Sequence, residues 1–175
     1  MAMRNLHDLF VDEVKDLYSA ENQIVKAMPK MIKAADAGDL KDALTAHLEE
    51  TRKQVTRIEQ IAEQHGFAPK GKKCVGMEGL LQEGSELLEK DADPSAKDAG
   101  LIGAAQRVEH YEIAAYGTAR TFAQTLGYSE ASQLLEQTLD EEKKADAKLS
   151  GLAEGHINRE AATSNGHDKE MMERR

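Results

Sequence analysis

Carboxylates recur in this sequence where a helix should turn an apolar face inward. Placed at about 100° per residue, Glu21 falls between Leu17 and Val25 and beside Ile24 and Met28. Glu112 lies on the line Ala105, Val108, Ala115, Ala119, with Glu109 one turn earlier and nearer the edge. Glu142 lies on the line Leu135, Thr138, Ala145, Leu149, with Asp146 one turn further and slightly off-centre. On another segment His47, Thr51, Gln54 and Ile58 face inward, and Glu50 flanks them. An ionised carboxylate without a partner in a core is very costly. Several together repel one another, and some take up protons. A bound multivalent cation removes the problem. Ligation dominated by carboxylates suits iron, manganese, magnesium or calcium better than copper. These residues therefore point to metal binding, with Glu21, Glu50, Gln54, Glu109, Glu112, Glu142 and Asp146 as candidate ligands.

The pattern has an internal echo. Tyr18-Ser-Ala-Glu21 followed by His47-Leu-Glu-Glu50-Thr-Arg-Lys-Gln54 matches Glu109-His-Tyr-Glu112 followed by Leu139-Asp-Glu-Glu142-Lys-Lys-Ala-Asp146. Glu21 and Glu50 are 29 residues apart, Glu112 and Glu142 are 30 apart. Such pseudosymmetry is what a two-metal site between hairpins requires. The sequence departs from the usual di-iron pattern, in which two helices carry Glu-x-x-His: Lys53 and Ala145 stand where those histidines would be. His47, Tyr18 and Tyr116 are candidate hydrogen-bond partners of the ligands, with packing as the alternative role. His110 is expected to point away. Cys74 reads as a small buried apolar residue.

Five helical stretches must position these groups: about residues 5–35, 40–65, 77–90, 95–126 and 129–152. Pro29 should kink or divide the first, and Asp39 is a plausible N-cap for the second. The lysines Lys70, Lys72 and Lys73 read as a solvated loop. From residue 154 the chain turns polar, so residues 1–153 are expected to form the domain and 154–175 a disordered or loosely helical tail. The spacing predicts an all-α fold. Four long helices form two hairpins joined by a long crossover that carries a short helix, the connectivity of ferritin-like bundles.

Composition agrees. The chain has 175 residues, about one domain. Aromatics are 4% and prolines three, too few for an all-β sandwich. The net charge of −9 argues against nucleic-acid binding. The lone Cys74 fits a reducing cytosol. No apolar run approaches the roughly 18 residues that span a membrane, and the start lacks a signal peptide's apolar core. A cytoplasmic protein is expected.

The stretches Tyr18-Ser-Ala-Glu21, His47-Leu-Glu-Glu50-Thr, Cys74-Val-Gly-Met-Glu78-Gly-Leu, Gln106-Arg-Val-Glu109-His-Tyr-Glu112-Ile-Ala and Leu139-Asp-Glu-Glu142-Lys resemble the bacterial YciE/YciF family of ferritin-like stress proteins. The resemblance covers about residues 3–153. It implies a ferritin-like antiparallel four-helix bundle, a homodimer, and a carboxylate site for two metal ions, with iron ahead of manganese. The expected site has Glu50 and Glu142 bridging the ions, Glu21 and Glu112 as terminal ligands, and Gln54, Asp146 and Glu109 completing the set. The expected function is stress protection by metal oxidation or by handling O₂ or peroxide. The alternatives are a non-enzymatic dimeric metal-binding or structural stress protein, and a metal-free helical adaptor.

Overall fold

The computed structural model of the chain describes residues 3–163. Among them every element is helical. Helix α1 is Leu6–Ala34, α2 Gly38–Gln64, α3 Val75–Leu88, α4 Pro94–Thr125 and α5 Ser129–Leu152. One π turn, Ala153–Ile157, joins α5 to a short α6, Asn158–Thr163. No helix among the described residues is long and apolar enough to cross a membrane.

Local signals set most of the boundaries. Asn5 caps α1 by accepting the Asp8 N–H at 2.9 Å. Pro29 neither divides nor ends α1. It lies on the exposed side, where the carbonyl its ring deprives of a donor can be hydrated. Gly66 and Gly127 close α2 and α4 with positive φ of 71° and 74°. At both ends the next residue's N–H reaches back five positions, from Phe67 to Ala62 and from Tyr128 to Ala123. This wrap needs the left-handed conformation that glycine adopts without strain.

The turn before α2 is held differently from the expectation. Asp39 is not its N-cap; Ala37 occupies that position and offers no side-chain acceptor. The turn itself is held from α4: the buried Asp98 carboxylate takes the N–H groups of Asp36 and Ala37 at 2.8 and 2.7 Å. Asp98→Ala is expected to cost about 2 kcal/mol, because two N–H groups lose a charged acceptor. A lower urea midpoint at unchanged m-value would register it; an unchanged midpoint would show that water replaces the carboxylate without loss.

The two hairpins pack with α1 against α4 and α2 against α5, and α3 lies on the α1–α4 face. The crossover is tied down by Lys72, expected in a solvated loop, and by Tyr111 and Cys74. Lys72 pairs with Asp12 and Asp16 at 2.5 and 3.1 Å. The Tyr111 hydroxyl donates to Asp16 at 2.8 Å and lies 2.9 Å from the Cys74 sulfur. Cys74 is fully buried, and its sulfur caps α3 by accepting the Met77 N–H. Burial raises its pKa, so it is no reactive thiolate.

The helix does not stop at residue 153. Ile157, in the expected tail, is 1% exposed and packs with Leu149 and Ala153 in the core. The wide π turn shifts the helical register by one residue and brings this lone apolar side chain inward. Residues 164–175 of the expected tail lie outside the described residues.

The core is split. One apolar layer contains Phe10, Leu17, Ile58, Tyr116, Ala119 and Leu135. The other contains Ile24, Leu40, Leu44, Leu101, Val108 and Leu149. On each of the four long helices the change from one layer to the other falls at the inward polar residues: Glu21, Gln54, Glu109 with Glu112, and Glu142. A polar slab therefore crosses the bundle at mid-height.

Candidate metal centre

Each helix delivers its polar residues to the slab because their spacing matches the apolar stripe. Glu21, Gln54 and Glu142 are fully buried, Glu112 is 1% exposed, Glu109 2% and His47 6%. One ligand atom from each of His47, Glu109, Glu112 and Glu142 lies within 4.8 Å of the others. His47 Nε2 is 3.2 Å from Glu109 Oε1 and 3.8 Å from Glu142 Oε2, aligned for a hydrogen bond with neither.

The outer contacts follow a pattern. The Tyr116 hydroxyl donates to Glu21 Oε1, leaving Oε2 unpartnered. The Gln54 amide donates to Glu142 Oε1, leaving that Oε2 unpartnered. Glu109 has one oxygen toward His47 and the other without a partner. Glu112 Oε1 and both His47 nitrogens are also unpartnered. Buried polar atoms are nearly always satisfied; here at least five unpartnered donor atoms of four carboxylates and an imidazole gather in one chamber. Multivalent cation binding satisfies such a set, since the atoms are hard oxygens plus one imidazole.

Proton affinities carry the same message. Burial raises Glu21 to about 7, against the opposing Tyr116 hydrogen bond. Burial, then the charges of Glu21, Glu142 and Glu109, hold Glu112 well above its usual range. Burial and the Glu109 and Glu21 charges do the same to Glu142. Burial pushes His47 down, but Glu109, Glu21 and Glu50 outweigh it and leave the ring more basic than usual. Burial also raises Tyr116 far above a free phenol, ensuring that it donates.

Two expected ligands are not brought in. The Glu50 side chain is 46% exposed, and its nearest charged neighbour is His47 Nδ1 at 3.9 Å. Asp146 is turned to the α4–α5 groove, where Gln106 donates to it at 3.0 Å and His110 Nε2 lies 3.3 Å away. Tyr18 is not a partner of the chamber either: its ring packs in the lower core and its hydroxyl donates to Glu59 at 3.0 Å. His47 is drawn further in than its expected supporting place and stands among the carboxylates. Its inward line with Thr51 and Gln54 was the available signal. The sequence reading did not single out Arg57 and Glu141. Their two-pronged ion pair, 2.5 and 2.8 Å, closes the α2–α5 groove beside the chamber. Glu141 also accepts from Gln54 at 3.2 Å, fixing the amide that holds Glu142.

Comparison with known proteins gives consistent relatives. A family described as a domain of unknown function, DUF892, matches residues 5–162. Protein YciF of Escherichia coli (strain K12) is 46% identical over 162 residues, 92% of this chain and 98% of that protein. The crystal structure of the E. coli stress protein YciF superposes with a TM-score of 0.86 over 89% of this chain and 99% of that one, at 46% identity. YcfI of Rhodopseudomonas palustris superposes at 0.82 and 43% identity over 84% and 94%. A Xanthomonas campestris pv. campestris protein shares the fold, with a TM-score of 0.69 at 20% identity over 89% and 99%.

Proposed function

This chain belongs to the DUF892 family, and from that premise we propose that its mid-bundle chamber binds two divalent metal ions, iron ahead of manganese, and serves in stress protection. The observation that carries this reading is the gathering of unpartnered oxygens from Glu21, Glu109, Glu112 and Glu142 beside the unpartnered His47 ring. Glu142 would be a central ligand, because groups from α2 and α4 converge on it. When bound, such ions supply the electrons that reduce O₂ or peroxide. The YciF relative is named a stress protein, which agrees with that use.

The chain's own residues prepare the site. Tyr116 and Gln54 each hold one oxygen of a carboxylate and aim the other inward. Apolar layers above and below exclude water, so charges inside interact strongly. His47 offers a ring nitrogen only when neutral, so binding releases protons. The homodimer implied by the resemblance and the cytoplasmic location expected from the lone Cys74 belong to the same reading.

Anaerobic titration with Fe(II), followed by air or peroxide, tests it. About two ions should bind per chain, as the two-metal bundles do, and oxidant should then oxidise them. Failure of the parent protein to bind any ion would sink the proposal. Binding without oxidant-dependent turnover would reduce it to the non-enzymatic, metal-sequestering alternative.

A further inference from the structure

The α2–α5 groove is shut at one level and open at another. Beside Gln54 the Arg57–Glu141 ion pair fills it. About one to three turns away, alanines stand where a bundle groove is normally plugged by larger side chains: Ala43 and Ala46 on α2, Ala145 on α5. They line a surface pocket of about 140 Å³ whose floor is His47 and Glu109 and whose rim carries Glu50. At about 30 Å³ per water, it has room for about four waters, enough for an ion that keeps part of its hydration shell.

Resting on the metal-binding reading, we propose that this pocket is the route by which a divalent cation reaches the chamber, with Glu50 as its outer carboxylate and the His47 ring as its inner gate. His47 stands across the boundary. Nδ1 looks out to Glu50 at 3.9 Å, and Nε2 looks in to Glu109 at 3.2 Å and Glu142 at 3.8 Å. Neither nitrogen is hydrogen-bonded, so no hydrogen bond locks the ring's orientation. The Tyr116 and Gln54 side chains that hold the other chamber carboxylates are buried, and the small cavity on the other side of Glu109 is lined by apolar side chains, Ile24, Met28 and Val108 among them, that offer a cation nothing. Glu50 is half out in solvent and next to the gate, which explains why a carboxylate on the edge of the inward stripe is not buried with the others. Lys144 and Lys148 also border the pocket, but both are exposed. Their charge on flexible stems is screened over about 8 Å in physiological salt, whereas Glu50 meets the ion at contact.

The test is metal uptake. Protein and Fe(II) are mixed anaerobically, and unbound Fe(II) is trapped by a chromogenic chelator at successive times. Rate and final stoichiometry are read for the parent, Ala46→Phe and Glu50→Gln. Ala46 is exposed, so its enlargement blocks the pocket without disturbing the core; circular dichroism checks the fold. Both variants should fill to the parent's stoichiometry but about tenfold or more slowly, within the range that local steering and access control. Parental rates in both would overturn the route. A reduced final stoichiometry in Glu50→Gln would overturn Glu50's assignment and make it a ligand instead. A parent that binds no Fe(II) at all would overturn the metal-binding reading itself, a result distinct from filling at normal speed. Should Ala46→Phe fail to fold, Glu50→Gln decides alone.

Discussion

Stripped of metal by a chelator, the protein should lose stability as pH rises from 5 to 8, and a saturating divalent ion should reverse the trend. The sign follows from proton counting. Glu21, Glu112 and Glu142 have folded pKa values raised above the ordinary 4.5. The folded state then binds more protons than the unfolded one, and stability falls as pH rises. For Glu21 the window runs from about 4.5 to about 7. Moving that pKa by more than two units corresponds to on the order of 3 kcal/mol, and Glu112 and Glu142, also raised by burial and their neighbours' charges, add loss in the same direction. His47, also raised, contributes stability below its ordinary pKa and loses it in the same direction. His65, lowered by burial, runs the other way below its ordinary pKa, but it is a single half-buried group at the end of the bundle. Asp16 and Glu141 are lowered and act only in acid. A cation competes with those protons. It adds about 3 kcal/mol at a free concentration about a hundredfold above its Kd, and more at high pH, where the ligands are already ionised. Thermal melts of apo and Mn(II)-loaded protein at pH 5, 6, 7 and 8 measure this. Apo stability that climbs steadily to pH 8 would mean that the chamber carboxylates do not strain the fold.

The bundle was legible in the sequence because a 3.6-residue period leaves one apolar stripe per helix. The slab was legible because Glu21, Glu109, Glu112 and Glu142 interrupt those stripes. The choice between His47 and Glu50 was not. Residues three apart on a helix differ by only about 60° in direction, and a slight rotation of α2 decides which one enters. Asp146 has the same ambiguity: it is about 40° from Glu142 and one turn along, and Gln106 on α4 holds it outside. Asp98 had no local signal, since the turn it holds is about 60 residues earlier in the chain. Ile157 was hidden by its polar neighbours and by a π turn that no α-helical template contains.

Replacing Glu112 by Gln should stabilise the apo-protein while weakening its metal binding. Glu112 is 1% exposed and has three carboxylates as electrostatic neighbours, Glu21, Glu142 and Glu109. At pH 8 the apo-protein must either ionise it against those charges or hold a proton that solution would remove. Both options cost free energy. An amide has nearly the same shape, offers the neighbouring carboxylates an N–H donor, and carries no charge. The expected gain at pH 8 is about 2 kcal/mol, within the range for relieving a buried like-charge contact; it should shrink as pH falls and the raised carboxyls take up protons. The same variant removes an anionic donor from the centre of the cluster, so the stabilisation by Mn(II) should largely disappear and the Fe(II) stoichiometry should fall. Urea titrations of parent and Glu112→Gln at pH 8 and pH 5, with and without metal, separate these effects. A variant less stable than the parent at pH 8 without metal would identify Glu112 as a structural hydrogen-bonding group. A gain in stability coupled to loss of binding would identify a residue retained, against the interest of the fold, for the ion it holds.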